Sequence, residues 1–447
     1  MSQDEKVVYI VHCIDAEGPL YESLDAKFER LRDLYGVELD PTRANFEKLT
    51  RKELDLGGLE EVIAQTFSGH LMDYKDTWDK IDDMLSNVMG EAFRKKMVDS
   101  NGDGWIFNWF CLDHVDYLQN PRRRDIGYHN IYDHYRAMIA ETNSTEDGVH
   151  WHFHPMSAYR DAHRCATSYV NSPHLHETLC RRIIERNWFP SVYRAGFQAE
   201  RPDSHLFLEQ WIPFDITNMS VQDPNLEVQL DFANGRSADW RLAPDDWSIY
   251  HPSHDHYQIP GNCRRWIARA LNTLNRLCNL TQGEVDKAFS RANEGLPTLM
   301  GIAAHDFREL SREVDEVRRM VAESVKKYPD VRFEFAEAKE AFQKVAYGKN
   351  FTNETVELDC ALERGNGSML LTVNTKAGQV FGPQPFLAIK MKSNRYVHDN
   401  FDFDVSLKKW FYTFDAESIL PDDVEVLGIA ANDQFGNTHV QVVKVDE

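Results

Sequence analysis

The sequence predicts an α/β fold: strands alternating with helices over residues 1–347, a parallel sheet closed into a barrel, and a small all-β module over residues 348–447. Three observations carry this. Short apolar runs recur, several of them ending in a charged or histidine residue. Amphipathic helical stretches separate these runs. After about residue 348 the helical periodicity stops.

Taken in order, Val7–Ile14 is a continuous apolar run stopping at Asp15, as expected of a strand buried on both faces. Leu24–Tyr35, Leu59–Phe67 and Trp78–Val88 carry helical spacing. Trp105–Leu112 reads as a strand, Ile131–Ala140 as a helix and Val149–Phe153 as the next strand. His174–Arg186 follows as helix, Ser191–Tyr193 as strand, Arg264–Leu280 as helix, Thr298–Ala304 as strand and Glu309–Lys327 as helix. A helical insertion, around residues 20–141, widens the first part of the barrel. In the module, Thr355–Leu362, Ser368–Val373, Phe386–Met391 and Val424–Ala430 read as short strands of a sandwich, with turns such as Glu363-Arg-Gly-Asn-Gly between them. Asp99-Ser-Asn-Gly-Asp-Gly104 imitates the front half of a calcium loop. Phe110 stands where that loop requires glutamate, so the segment is expected to be a turn.

Composition narrows the function classes. The chain has 447 residues, with 72 acidic against 50 basic side chains and a formal net charge of -22. Such a balance argues against binding nucleic acid and against docking on anionic membranes. No stretch approaches the roughly 20 apolar residues that span a bilayer. Seven scattered cysteines without a Cys-x-x-Cys pair fit a reduced, cytoplasmic protein.

The chemistry concentrates at strand ends. Asp15 and Glu17 follow the first strand, Asp113 and His114 the second, His150, His152 and His154 the third, Arg194 the fourth and His305-Asp306 the last. In parallel α/β folds the C-terminal ends of the strands form the active-site rim. The stretch GVHWHFHP (residues 148–155) sets three imidazoles at alternate positions, on one face of a strand. Clustered imidazoles suit metal binding or proton handling. A metal held by two or three of them and a carboxylate keeps an open position, as hydrolytic sites need. A divalent metal, zinc first among candidates, is therefore expected. Asp113, His114, Trp247 and Asp306 are candidate substrate contacts. Trp247 heads an aromatic- and histidine-rich stretch (residues 247–257) of the kind that stacks on sugar rings, and Asp306 alternatively holds the His305 imidazole. The basic stretch Pro121-Arg-Arg-Arg124 reads as an exposed loop, with lining of the substrate pocket as the alternative.

The order Asp15-Ala-Glu17, Glu146-Asp-Gly-Val-His150 to His154-Pro, Tyr193-Arg194-Ala-Gly-Phe197, Pro213-Phe-Asp215 and Ile302-Ala-Ala-His305-Asp306 resembles the polysaccharide deacetylase superfamily, as short islands over residues 6–345. The resemblance implies an irregular (β/α) barrel of about seven strands that removes acetyl groups from N-acetylated sugars with a bound metal. It implies Asp15 and Glu17 as base and metal ligand, two of His150, His152 and His154 as further ligands, Arg194 as the residue orienting Asp15, and His305 as general acid. The chain departs from the family pattern at Ala16, where a second aspartate is usual, and in its extra His152. The metal pair is therefore either His150/His154 or His152/His154. A carbohydrate substrate is implied, with the insertion and β module setting substrate choice or homo-oligomerisation. Two rival readings remain: a catalytically degenerate barrel that binds a glycan or protein partner, and a metal-dependent hydrolase of non-carbohydrate C–N bonds.

Overall fold

A computed structural model describes residues 6–67, 69–156, 160, 168–172, 174–222, 239–275, 277–352 and 354–445. Seven parallel strands close into a barrel: β1 (Val7–Ala16), β2 (Phe107–Cys111), β3 (Gly148–Phe153), β4 (Val192–Ala195), β5 (Phe214–Asn218), β6 (Trp266–Asn272) and β7 (Thr298–His305). Neighbours follow chain order, and β1 closes the ring by pairing with both β7 and β2. An eighth strand, β8 (Arg332–Phe335), pairs with Val7–Ile10, while β2 pairs with His12–Ala16. One edge of β1 is thus shared between two strands, and the barrel is irregular there.

Alternation along the strands separates inside from outside. Val11, Cys13, Phe110, Val192, Ile216, Ala268, Ala270, Leu299 and Ala303 form one buried cluster within the ring. Val8, Ile10, Ile14 and Met300 belong to a different cluster, shared with the surrounding helices. The extra helices lie between β1 and β2: α1 (Leu24–Tyr35), α2 (Arg43–Thr50), α3 (Glu60–Thr66), α4 (Gly69–Met72), α5 (Trp78–Val88) and α6 (Glu91–Arg94). Phe28, Leu31, Leu49, Ile63 and Phe67 give them a small core of their own. Among the described residues the other α-helices are α7 (Asn130–Glu141), α8 (His174–Arg186), α9 (Pro202–Trp211), α10 (Gln282–Asn293), α11 (Leu310–Lys327) and α12 (Ala338–Ala346). Among the described residues no helix is long and apolar enough to cross a membrane.

One expectation is overturned. Arg264–Leu280 is not a helix; it contains β6 and the loop after it. Arg265 and Arg269, four apart, imitate the polar stripe of a surface helix, yet both are fully buried. Arg265 pairs with Glu200, Glu209 and Asp215, and Arg269 with Glu284. Pairing with β5 and β7 outweighs the local helical spacing. The segment at Asp99 is a turn, its carboxylate accepting from the amides of Asn101 and Asp103.

The C-terminal module is a sandwich of two antiparallel four-stranded sheets. One sheet holds β9 (Glu357–Arg364), β10 (Met369–Ala377), β13 (Asp402–Phe403) and β14 (Lys409–Phe414). The other holds β11 (Phe386–Met391), β12 (Tyr396–Asp399), β15 (Val424–Asn432) and β16 (Thr438–Lys444). Leu371, Val373 and Trp410 meet Leu387, Ile389 and Leu427 between the sheets. The module docks on the barrel through Ile183 of α8 and Trp211 of α9, packed with Phe386, Ala388 and Ala430. Asn432 donates to the carbonyls of Pro190 and Trp211, each at 2.8 Å.

The floor of the barrel is tied by Asn108. Its Nδ2 donates to the Ala336 carbonyl at 3.1 Å and its Oδ1 accepts from the Ala338 amide at 2.7 Å, anchoring the start of α12. Asn108→Ala strands both buried backbone groups, at about 1–3 kcal/mol each. The variant should therefore unfold at clearly lower urea concentration than the wild type, and an unchanged midpoint would contradict this role.

Candidate metal centre and active site

At the C-terminal end of the barrel, β1, β3, β4 and β7 bring Asp15, Glu17, His152, His154, Arg194 and His305 together. Strand alternation points Asp15, His152, Arg194 and His305 into the ring. Glu17 and His154 lie just beyond β1 and β3.

Arg194 is fully buried. Its Nε donates to Asp15 Oδ1 at 2.8 Å and its Nη1 to the Ile216 carbonyl at 2.9 Å. Burial alone pushes the Asp15 carboxyl up, but Arg194, His152 and His305 together bring it below the usual range. Asp15 Oδ2 is buried with no hydrogen-bond partner among the described residues. The ionised carboxylate therefore keeps one free oxygen at the centre of the site.

His152 Nδ1 lies 2.8 Å from the carbonyl oxygen of Arg194. A carbonyl only accepts, so Nδ1 carries hydrogen and Nε2 is the free ligand position. His152 Nε2 is 3.0 Å from His154 Nε2, and Glu17 Oε1 lies 3.4 Å from the latter. Glu17, His152 and His154 are a buried group whose ligand atoms lie within 4.8 Å of one another. With a lone pair on His152 Nε2, a contact at this separation is bridged either by a hydrogen on His154 Nε2 or by a metal ion taking both lone pairs. Burial disfavours charge on His152, but Asp15 and Glu17 outweigh it and raise its pKa; the anions favour a cation at this spot. Burial lowers the pKa of His154. One carboxylate and two imidazoles match the donor set of zinc and similar ions.

Glu17 is itself held from three sides. Arg124 pairs with its Oε2, and with His154 this keeps the carboxyl well below its usual range against the opposing effect of burial. The His114 Nε2 donates to the Glu17 carbonyl at 3.0 Å. The Glu17 and Gly18 amides donate to the two oxygens of Asp306 at 3.1 and 2.8 Å. Burial pushes the Asp306 carboxyl up to about 7, and the Tyr135 hydroxyl also donates to it at 2.9 Å. His305 Nε2 lies 3.7 Å from Asp15 Oδ2 and 4.0 Å from Glu17 Oε1. Burial, reinforced by Arg308, lowers its pKa to about 4, so the resting ring is neutral.

Several candidates stand elsewhere. His150 shares the inward face of β3 but lies one layer deeper, its Nε2 3.1 Å from Asn108 Oδ1 and 3.1 Å from Glu337 Oε1; it is not in the donor group. Asp113 accepts from Arg182 and from the His129 amide, an internal bond rather than a substrate contact. His114 and Asp306 support the Glu17 loop, and the described contacts of Asp306 do not include the His305 ring. Trp247 is fully buried beneath the Arg269 guanidinium, 4.3 Å from its ring, and cannot stack on a sugar; it covers a buried charge instead.

Sequence reasoning missed Arg124, read as part of an exposed loop, and Gly196. The basic run gave a signal for the first, but spacing does not reveal which of three arginines turns inward. A Cβ at Gly196 would overlap the His154 ring, which also packs on Phe197 at 4.8 Å. Phe307 similarly flanks His305 at 4.9 Å.

No protein-family model matches the chain, and no curated protein matches its sequence significantly. What the structure defines is an α/β barrel with a buried carboxylate–imidazole group at the C-terminal ends of its strands.

Gly196→Ala is the sharpest probe of the donor group, because it moves His154 without removing any ligand. The variant should fold yet retain far less zinc than wild type after dialysis, by elemental analysis. His150→Phe should leave retention unchanged. Equal loss in both variants would contradict the division between the two layers.

Proposed function

We propose that the chain is a metal-dependent hydrolase that removes an acetyl group from an N-acetylated sugar or polysaccharide precursor. The observation that supports it most is the His152 tautomer. The Arg194 carbonyl occupies Nδ1, leaving Nε2 to converge with His154 and Glu17 beside an ionised Asp15. The resemblance of the strand-end residues to polysaccharide deacetylases supplies the substrate class.

In this reading Glu17, His152 and His154 hold the metal. When bound, it supplies Lewis acidity toward the acyl carbonyl and lowers the pKa of a water. Asp15 is the base. Arg194 restrains one of its oxygens and keeps the carboxyl ionised, so the free Oδ2 takes a proton from the attacking water. His305, neutral at rest and 3.7 Å from that oxygen, receives the proton and passes it to the nitrogen of the departing amine. Phe197 packs on the His154 ring and Phe307 on the His305 ring.

The test is acetate release from N-acetylated oligosaccharides and nucleotide sugars by zinc-loaded protein. Asp15→Asn and His305→Ala should each lower kcat by about a hundred- to ten-thousand-fold, typical of general acid–base groups, with metal retained. If the wild type binds a glycan without releasing acetate, and His305→Ala binds it equally, the barrel is a glycan-binding protein. Release of another acid from a non-carbohydrate amide would instead move the activity to a different C–N bond.

A further inference from the structure

Seven arginines are buried among the described residues. Six of them, Arg124, Arg182, Arg194, Arg265, Arg269 and Arg318, hold a carboxylate oxygen at 2.9 Å or closer. Arg308 is the exception. It is 9% exposed and has no carboxylate partner among the described residues. Its Nη2 donates to Asn275 Oδ1 at a long 3.4 Å, its Nε is buried without a hydrogen-bond partner, and the Phe307 ring lies 6.0 Å from the guanidinium. A guanidinium left in this state is costly, because its charge and its donors lose water without a replacement.

Glu313 does not fill the gap. Its Oε2 accepts from the Thr273 hydroxyl at 2.7 Å, and its Oε1 is buried without a hydrogen-bond partner. Burial pushes its carboxyl up to about 7 against the influence of Arg308, so near neutral pH it is only a partial counter-charge. Glu309 is taken by Lys75, at 2.9 Å. An arginine in this position suits an oxyanion brought from outside, since its planar fork matches a carboxylate or a phosphate.

The place of Arg308 in the fold decides which part of a ligand it meets. It stands three residues after His305, in the loop from β7 to α11, and its amide donates to the His305 carbonyl at 3.2 Å. Asn275 lies in the loop after β6, so the guanidinium bridges two loops at the C-terminal end of the barrel. Its charge also reaches the buried His305 ring. In the reaction proposed above, His305 hands its proton to the departing nitrogen. Groups beside His305 therefore face the amine portion of the substrate, not the acetyl group.

We propose that Arg308 binds the substrate directly, and that the ring bearing the departing amine carries an oxyanion, a carboxylate or a phosphate, that pairs with its guanidinium. The proposal rests on the hydrolase reading and deepens it, naming an acidic amino sugar as the substrate class.

The experiment titrates the zinc-loaded, full-length chain by calorimetry with three amines, of the kind the proposed reaction forms and does not consume. They are glucosamine 1-phosphate, the methyl glycoside of glucosaminuronic acid, and methyl glucosaminide, which has no oxyanion. At least one of the two acidic amines should bind about tenfold more tightly than methyl glucosaminide, and which one does so tells a phosphate from a carboxylate. Arg308→Gln should remove that preference and leave the affinity for methyl glucosaminide unchanged. Should Arg308→Gln not fold, Arg308→Lys takes its place and should lose most of the preference, because one ammonium lacks the paired donors. Equal binding of all three amines, binding of none, or a preference that survives in the variant would each overturn the proposal. Failure of the hydrolase reading looks different. An acidic amine preferred through Arg308, with no acetate released by the wild type from any substrate, would keep the oxyanion site and sink the hydrolase. Acetate release with equal binding of the three amines would sink the Arg308 proposal alone.

Discussion

The upper end of the barrel depends on one guanidinium taken out of water. A fully buried arginine is costly unless its charge and its donors are matched. Arg194 matches its charge with the Asp15 carboxylate and a further donor with the Ile216 carbonyl, while its Nη2 has no hydrogen-bond partner among the described residues, and it spans β1, β4 and β5. Its own carbonyl then orients His152 on β3. One residue thus sets the ionisation of an acid and the tautomer of an imidazole on different strands. Neither can be repositioned without disturbing the other.

The charges around it form two sets. Asp15 has Arg194 and Glu17 has Arg124, a guanidinium for each carboxylate. This explains how two ionised acids share a space with three imidazoles. His305 nevertheless stays neutral, because burial, with Arg308 and Arg194 nearby, outweighs the support that Asp15 and Glu17 give its charge. The backbone contributes as well, because the Glu17 loop hangs from Asp306, whose oxygens accept two amides and a hydroxyl.

Much of the fold was legible because its signals are local. The run Val7–Ile14 is a two-sided buried strand, and α1, α5 and α8 carry an unbroken apolar stripe. What failed was non-local. Arg265 and Arg269 look like a solvated helix face until their partners arrive from α9, α10 and β5. The strand-end rule brought out Asp15, Glu17, His152, His154, Arg194 and His305, which the structure gathers in one place. The same rule could not separate His150 from His152. Alternation assigns both to one face, and only the stagger of the barrel assigns them to different layers. Asp113 and Trp247 satisfied the same sequence criteria and proved to be internal partners of Arg182 and Arg269.

The divided edge of β1 has a consequence for synthesis of the chain. As the nascent polypeptide lengthens, β1 first meets β2, which covers only His12–Ala16. The partner of its other edge begins at Thr298, and the strand beside Val7–Ile10 at Arg332. Until those segments leave the ribosome, an apolar strand waits with one side open and half of the other uncovered. Closure of the barrel is therefore a late, long-range event, the kind that slows folding and exposes strand edges to wrong partners. The first strand of the barrel to be translated is among the last to be completed.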